Sequence, residues 1–500
     1  MESVTALPPA DPELRELLGT LSDLGSAAAV LGWDRETMMP PQGAEYRGEV
    51  MATLEQLAHR TLADPRVAQL TQRLAAAAQP GSVDAAIARV VARDHERAVC
   101  IPVELTAEIE RASAAAIPAW AAAREASDFA AFQPHLERQV ELRRDLAACF
   151  PDVAHPYDAL LQPYEPGATT AGIRDVFATL RAGLVPLVEE IAQRPAPEPL
   201  PSGLPEAGQR TLALEAARAL GFDERSWRLD DSTHPFSQSA GPRDQRVTAR
   251  WDESDLSGLF AVMHEVGHSL YEEGVDPPLA RTTLGSGVSM GIHESQSRLW
   301  ENQVGRSRAF WSFWLPRAQE LLPPLRGLDL DDVLRRINVV RPSLIRVEAD
   351  EVTYALHVIL RFELEVALID GTLAVADLPA AWGELMVELL GVAVPDDRNG
   401  CLQDVHWAFG EFGYFPTYAI GNIVSAQLWR ALRSAVPGVQ ESIAAGDCAP
   451  VRDWLREHVH RFGRRLDPPE LLQQATGAAL DPAPLLEDLR LKYAELYDLA

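Results

Sequence analysis

The sequence predicts a mostly α-helical fold with one small β-hairpin or sheet packed beside a functional helix. Two observations carry this. Apolar residues recur at helical spacing along most of the 500 residues, set among Ala, Glu and Arg, which are good helix formers. One stretch, 231–251, breaks the pattern: DSTHPFSQSAGPRDQRVTARW carries the turn pair Gly241-Pro242 and then a short β-prone run, read as a hairpin or edge strand.

Residues 11–193 read as helix after helix. Leu14, Leu17, Leu18 and Leu21 fall at helical spacing, and Leu54, Leu57 and Leu62 do the same. Pro40, Pro41, Pro102, Pro118, Pro134 and Pro151 mark helix starts or interruptions. The segment 194–206, RPAPEPLPSGLPE, holds five prolines and reads as an extended surface connector that does not require independent domains on either side. Residues 255–273 return to helix and stop at Gly274, a C′ position. From there to residue 498 the pattern is helical with short breaks. The expectation is a single domain over 1–500, with 1–193 its helical N-terminal part and 207–500 its catalytic part.

Apolar residues make up 47% and charged residues 24%, which excludes a disordered or collagen-like chain. With 45 basic and 73 acidic residues the net charge is −28, so the surface repels nucleic-acid phosphates and anionic lipid. Four scattered cysteines without a CxxC pair make no disulfide framework, and a reducing, cytoplasmic setting is expected. The N-terminus lacks the basic and apolar regions of a signal peptide, and no apolar run is long enough to span a membrane.

The chemistry is concentrated in LFAVMHEVGHSLYEEG (259–274), which contains His264-Glu265-Val266-Gly267-His268. On a helix the two histidines are one turn apart and share a face, so both imidazoles reach one Zn²⁺. Glu265 lies about 100° round the helix. It can lean over the water that the metal activates and take its proton. Glu272 shares the face but stands about 12 Å along the axis from His264, too far for the same ion. The pattern HExxHxxGxxH is excluded, because Tyr271 and Gly274 occupy its diagnostic positions. The third ligand therefore comes from another segment. MGIHESQSRLWENQ (290–303) offers His293 and Glu294, of which two-His-one-Glu chemistry favours Glu294. Adjacent helical residues point about 100° apart, which leaves His293 supporting the centre or touching substrate.

Six motifs in order resemble those of the carboxypeptidase Taq family: His234-Pro235-Phe236; Asp244-Gln245-Arg246-Val247-Thr248 (DxRxT); HEVGH; HESQSR (293–298); Ile345-Arg346-Val347-Glu348-Ala349-Asp350 (IRxxAD); and Gly400 to Trp407 (GxxQDxHW). An early GWDRETMMP (32–40) matches as well. The resemblance implies a saddle-like helical fold with a deep active-site groove, similar to neurolysin and angiotensin-converting enzyme. It implies release of single C-terminal amino acids from peptides with a free carboxylate, Zn²⁺ that Co²⁺ can replace, and a homodimer. It maps the metal ligands onto His264, His268 and Glu294 and the base onto Glu265.

A carboxypeptidase needs a cation for the terminal carboxylate, and the planar fork of an arginine suits it. Arg246 and Arg346 are the candidates; the family's IRxxAD motif favours Arg346. The competing reading for either is a structural ion pair, with Asp244 or Asp350 as partner. His406 and Tyr418, with Tyr414 second, are the expected oxyanion donors, as in related helical zinc peptidases. Gln403 and Asp404 are expected to orient a histidine. His234 is a further substrate contact. The DxRxT strand is expected either at a sheet edge that pairs with substrate backbone, as in similar folds, or as plain core architecture. An oligo-endopeptidase of the same architecture would need no carboxylate anchor, and a scaffold that had lost catalysis would lack a ligand or the base.

Overall fold

The computed structural model describes residues 11–499. The sequence before Asp11, where the argument against a signal peptide falls, lies outside the described residues. Helices dominate, as the periodicity predicts. The first, Pro12–Thr37, opens with Asp11 accepting hydrogen bonds from the backbone of Glu13 and Leu14 and with proline in its first turn, where a missing N–H costs nothing. Pro102 precedes the helix Val103–Ala126, as expected of a start signal. Pro118 and Pro134 instead lie inside helices, Val103–Ala126 and Phe129–Ala148. These two helices pack on each other, and their burial of Ile109, Phe132, Leu136 and Val140 offsets the lost backbone bonds.

Two apolar cores form. The large one runs from Ile109 to Tyr497 and encloses Trp300, Trp311 and Trp382. The smaller gathers Leu14, Leu18, Val67, Leu70, Leu74 and Ile87 around Val275, Leu279 and Leu284, so the first helices sit on the loop that comes after the HExxH helix. The proline-rich connector is irregular and ends where the helix Glu206–Leu220 begins. Within it Leu204 is buried, and its N–H donates to the Glu253 carbonyl. All four cysteines are free. Among the described residues no helix is long and apolar enough to cross a membrane.

The break at 231–251 is a three-stranded sheet in the order β1-β3-β2, with β1 Trp227–Asp231, β2 Ser237–Gly241 and β3 Asp244–Ala249. β2 and β3 form the expected hairpin, and β1 adds a parallel partner on the far side of β3. This corrects the placing of the DxRxT strand. It is the central strand, with both backbone edges already paired, so it cannot take a peptide's backbone. β2 is an outer strand of the sheet and packs against the HExxH helix. The strand WRLDD escaped notice because three of its five residues are charged.

The HExxH helix is Ser257–Gly274, with Gly274 as its last residue and not in a left-handed cap. Beside it runs the helix Met290–Arg298, which carries Glu294. The chain then widens into π-helical turns over Leu299–Gly305. On its other side the Glu294 helix meets Pro416–Ala435. Two glycines permit this close stack. A Cβ on Gly267 would come within 2.7 Å of the Gln296 carbonyl, and one on Gly421 within 2.5 Å of the Glu294 side chain.

A candidate metal centre

The stack brings His264, His268 and Glu294 together, the one such cluster among the described residues, with ligand atoms within 4.8 Å of one another. Glu294 Oε2 lies 3.5 Å from Nε2 of His264 and 3.5 Å from Nε2 of His268. A tetrahedral ion held at about 2.1 Å separates its donors by about 3.4 Å, so these three atoms fit one.

The opposite ring nitrogens are engaged, which leaves Nε2 for the metal. His264 Nδ1 donates to Glu301 Oε2 at 2.9 Å. His268 Nδ1 meets His293 Nδ1 at 2.6 Å, and His293 Nε2 meets Glu272 Oε1 at 2.9 Å. The consistent assignment has each N–H pointing outward, toward Glu272. The Gly287 N–H also donates to Glu272, and the Val288 N–H to the Tyr271 hydroxyl. Glu272 is thus no ligand, as its distance along the helix requires, but it anchors the partner of one. Glu294 keeps its other oxygen on Arg298, 2.7 Å from Nε.

Electrostatics favour the ligating forms of His268 and Glu294 and, without a metal, the charged form of His264. Burial pushes His268 down to about 4, so its ring is neutral. Burial also opposes charge on His264, but the carboxylates of Glu294 and Glu301 outweigh it and its pKa rises. Burial would raise Glu294, yet Arg298 and the two histidines hold it well below the usual carboxylate range. Glu265 is buried, which pushes its carboxyl up to about 7; His264 and a hydrogen bond from Ser237 pull the other way.

Facing the centre, His406 Nε2 stands 3.4 Å from the Tyr418 hydroxyl, and the Tyr414 ring lies 5.6 Å from His406 and 5.2 Å from Tyr418. Burial pushes His406 down to about 4. Arg346 is buried beneath Tyr418, its guanidinium 4.9 Å from that ring. Its Nε and Nη2 donate to Asp404 at 3.1 and 2.8 Å, and Nη1 donates to the Tyr354 hydroxyl at 3.1 Å. The ion-pair partner is therefore Asp404. Asp350 instead caps the backbone of Val352 and Thr353.

Asp404 also takes Arg361, at 2.6 Å, and its Oδ1 is 4.0 Å from His406 Nδ1. It orients two arginines and makes no hydrogen bond to His406, which corrects the expectation for this motif. Arg246 pairs through Nε and Nη2 with Asp244, as its sequence neighbour suggested, and lies 4.4 Å over the ring of Trp33. Arg228 lies at 4.4 Å over the same ring, so GWDRE ties the first helix to the sheet. The His234 ring is exposed, and its carbonyl accepts from Ser232. Sequence reasoning missed Ser237, Glu301 and Arg298. The only available signal was that Arg298 stands four residues after Glu294, an ion-pair spacing on a helix.

Fold and centre together mark a metal-dependent peptide hydrolase. The chain belongs to the carboxypeptidase Taq (M32) metallopeptidases, whose family pattern matches residues 13–493. Thermostable carboxypeptidase 1 of Thermus thermophilus is 41% identical over 490 residues, 95% of this chain and 96% of its own length. Carboxypeptidase 1 of Bacillus subtilis is 36% identical over 493 residues, 97% of this chain and 98% of its own. The crystal structure of the M32 carboxypeptidase from Deinococcus radiodurans superposes with a TM-score of 0.95 at 41% identity, covering 97% of this chain and 99% of that one. The mostly helical fold with its small sheet is thus the fold of this family.

Proposed function

We propose that the protein is a zinc carboxypeptidase that releases single C-terminal amino acids from peptides, with Glu265 as general base. The observation that carries this is the buried Glu265 carboxyl, raised to about 7, beside three donor atoms spaced for one tetrahedral ion. When bound, the metal supplies Lewis acidity, polarising the scissile carbonyl and making water a nucleophile near neutral pH. Two nitrogens and one carboxylate oxygen suit zinc, and Co²⁺ accepts the same set.

Glu265 takes the proton of the attacking water and hands it to the leaving amine, a task for which a pKa near the working pH is best. Burial keeps His406 neutral, and the buried, partnerless Nδ1 favours the proton on Nε2, from which it donates to the developing oxyanion together with the Tyr418 hydroxyl; Tyr414 lines the same wall. Arg346 receives the substrate's terminal carboxylate. Its Nε side is spent on Asp404 and Nη1 also donates to Tyr354, which leaves one N–H on each of Nη1 and Nη2 to donate. Arg246 is paired with Asp244 through the same two nitrogens and stacked on Trp33, so it is the second candidate, and the resemblance of 345–350 to IRxxAD favours Arg346. We assign the alignment of the substrate's backbone to the outer strand β2, whose Ser237 bonds Glu265, and a further contact to exposed His234 just before it.

We read the chain as one domain, 1–500, acting as a cytoplasmic homodimer on peptides. The deciding experiment loads purified protein with Zn²⁺ and follows peptide digests by mass spectrometry. Ladders of single C-terminal losses support the reading, and internal fragments overturn it.

A further inference from the structure

His406 and Tyr414 stand on a stretch, 403–415, whose only regular element is the short helix His406–Phe409. The His406 ring is not fixed through its inner nitrogen: Nδ1 is buried without a hydrogen-bond partner. The stretch is instead held by the helix Tyr354–Asp370. Two buried charged residues one turn apart on that helix, Arg361 and Glu365, each take part of it. Arg361 donates to Asp404 at 2.6 Å and to Gln403 at 2.7 Å. Glu365 Oε1 accepts from Trp407 Nε1 at 2.7 Å, and its Oε2 accepts from the Gly413 N–H at 2.9 Å. A third donor, the Tyr157 hydroxyl at 2.5 Å, comes from elsewhere in the chain. Trp407 directly succeeds His406, and Gly413 directly precedes Tyr414.

We propose that Glu365 is a positioning residue for the catalytic wall: by gripping Trp407 and Gly413 it sets where His406 and Tyr414 stand relative to the metal centre. The inference rests on the reading of His406 as an oxyanion donor. A carboxylate suits this position because both of its oxygens accept, and three donors converge on them. A glutamine of the same shape turns an NH₂ toward Trp407 or toward the Gly413 and Tyr157 pair, so buried donors face a donor and the stretch must shift. Because the wall binds the oxyanion and not the ground-state peptide, the shift acts on kcat more than on KM.

The test compares Glu365→Gln with Tyr157→Phe in zinc-loaded enzyme, on an N-blocked dipeptide with a free carboxylate. Glu365→Gln is expected to lose about tenfold or more in kcat, with KM and zinc per chain within about twofold. The ¹⁵N resonances of the His406 ring should move with it. Tyr157→Phe removes the donor that lies off the stretch; it should lower Tm while kcat stays within about twofold and the His406 resonances stay put. An unchanged kcat in Glu365→Gln, or an equal loss in Tyr157→Phe, overturns the proposal. Should Glu365→Gln not fold, Trp407→Phe takes its place, with the same kcat loss expected and an unchanged kcat counting against the idea. If the parent enzyme releases no C-terminal residue, the proposed function fails, and the His406 resonances still decide the positioning.

Discussion

His293 and Glu294, neighbours in the chain, meet His268 on opposite sides of its ring: Glu294 Oε2 lies 3.5 Å from Nε2, and His293 Nδ1 lies 2.6 Å from Nδ1. One faces the metal position and the other turns the ligand toward it. Glu294→Ala should therefore abolish stoichiometric zinc. His293→Ala should leave a site that still binds, but about 10–100-fold more weakly, because the ring it steadies becomes free to turn. Competition with a chelator measures both. Full zinc in Glu294→Ala would show that the third ligand lies elsewhere.

Glu265→Gln separates base from ligand. The amide keeps the shape and cannot accept the proton. Zinc content should match the parent, while turnover falls by about two to four orders of magnitude. Activity within about tenfold of the parent would remove Glu265 from the role.

The terminal carboxylate distinguishes an exopeptidase. A free-acid peptide should be cleaved well and its C-terminal amide poorly. Arg346→Ala should cost about 2–4 kcal/mol in kcat/KM and erase most of that preference, as expected when one partner of a charged pair is removed. Arg246→Ala should keep the preference and lower Tm, since it cuts the tie to Trp33 and Asp244. Loss of preference in Arg246→Ala alone would exchange the two roles.

In the metal-free protein two sets of buried groups oppose each other as pH rises from about 4.5 to about 7: the contribution of Glu165 falls, while that of His268, His357, His406 and His460, pushed down to about 3 or 4 by burial, rises. Burial pushes Glu165 up to about 7 in the folded chain, against an ordinary value of 4.5. In that window the folded form holds a proton on Glu165 that the unfolded chain has released, so this group's own contribution falls as pH rises. Glu301, held near 2 by Arg298 and His264 against its burial, has the opposite sign but titrates below the window. Glu165→Gln should remove that falling contribution and make the slope of Tm against pH more positive. An unchanged slope would show that Glu165 does not titrate there.

The cluster of His264, His268 and Glu294 was legible because helical geometry is local. Two histidines four apart share a face in any helix, and a glutamate opening the next helix is an ordinary third ligand. The illegible part is set by contacts between distant segments. Arg346 pairs with Asp404, 58 positions away in sequence, and not with nearby Asp350. Glu272 was set aside on distance, correctly as a ligand, but nothing in the sequence says that His293 bridges it to His268. β1 carries too many charges to announce a strand, and without it the central place of β3 could not be read.

The π-helical turns at Leu299–Gly305 put a constraint on length as well as on composition. An i→i+5 turn carries a residue more than an ordinary helical one, and here the wider turns bring Glu301 under His264. Deleting a single residue in this stretch would let it relax to ordinary helix and swing the downstream side chains by about 100°. Glu301 would then leave His264, although every catalytic side chain was still encoded. The proline-rich connector is pinned at Leu204 but has no helical turn to keep before it, over 194–203. Families of this enzyme should thus vary in length at the connector and hold a fixed residue count from Glu294 to Gly305, and a library built by substitution alone would never expose that rule.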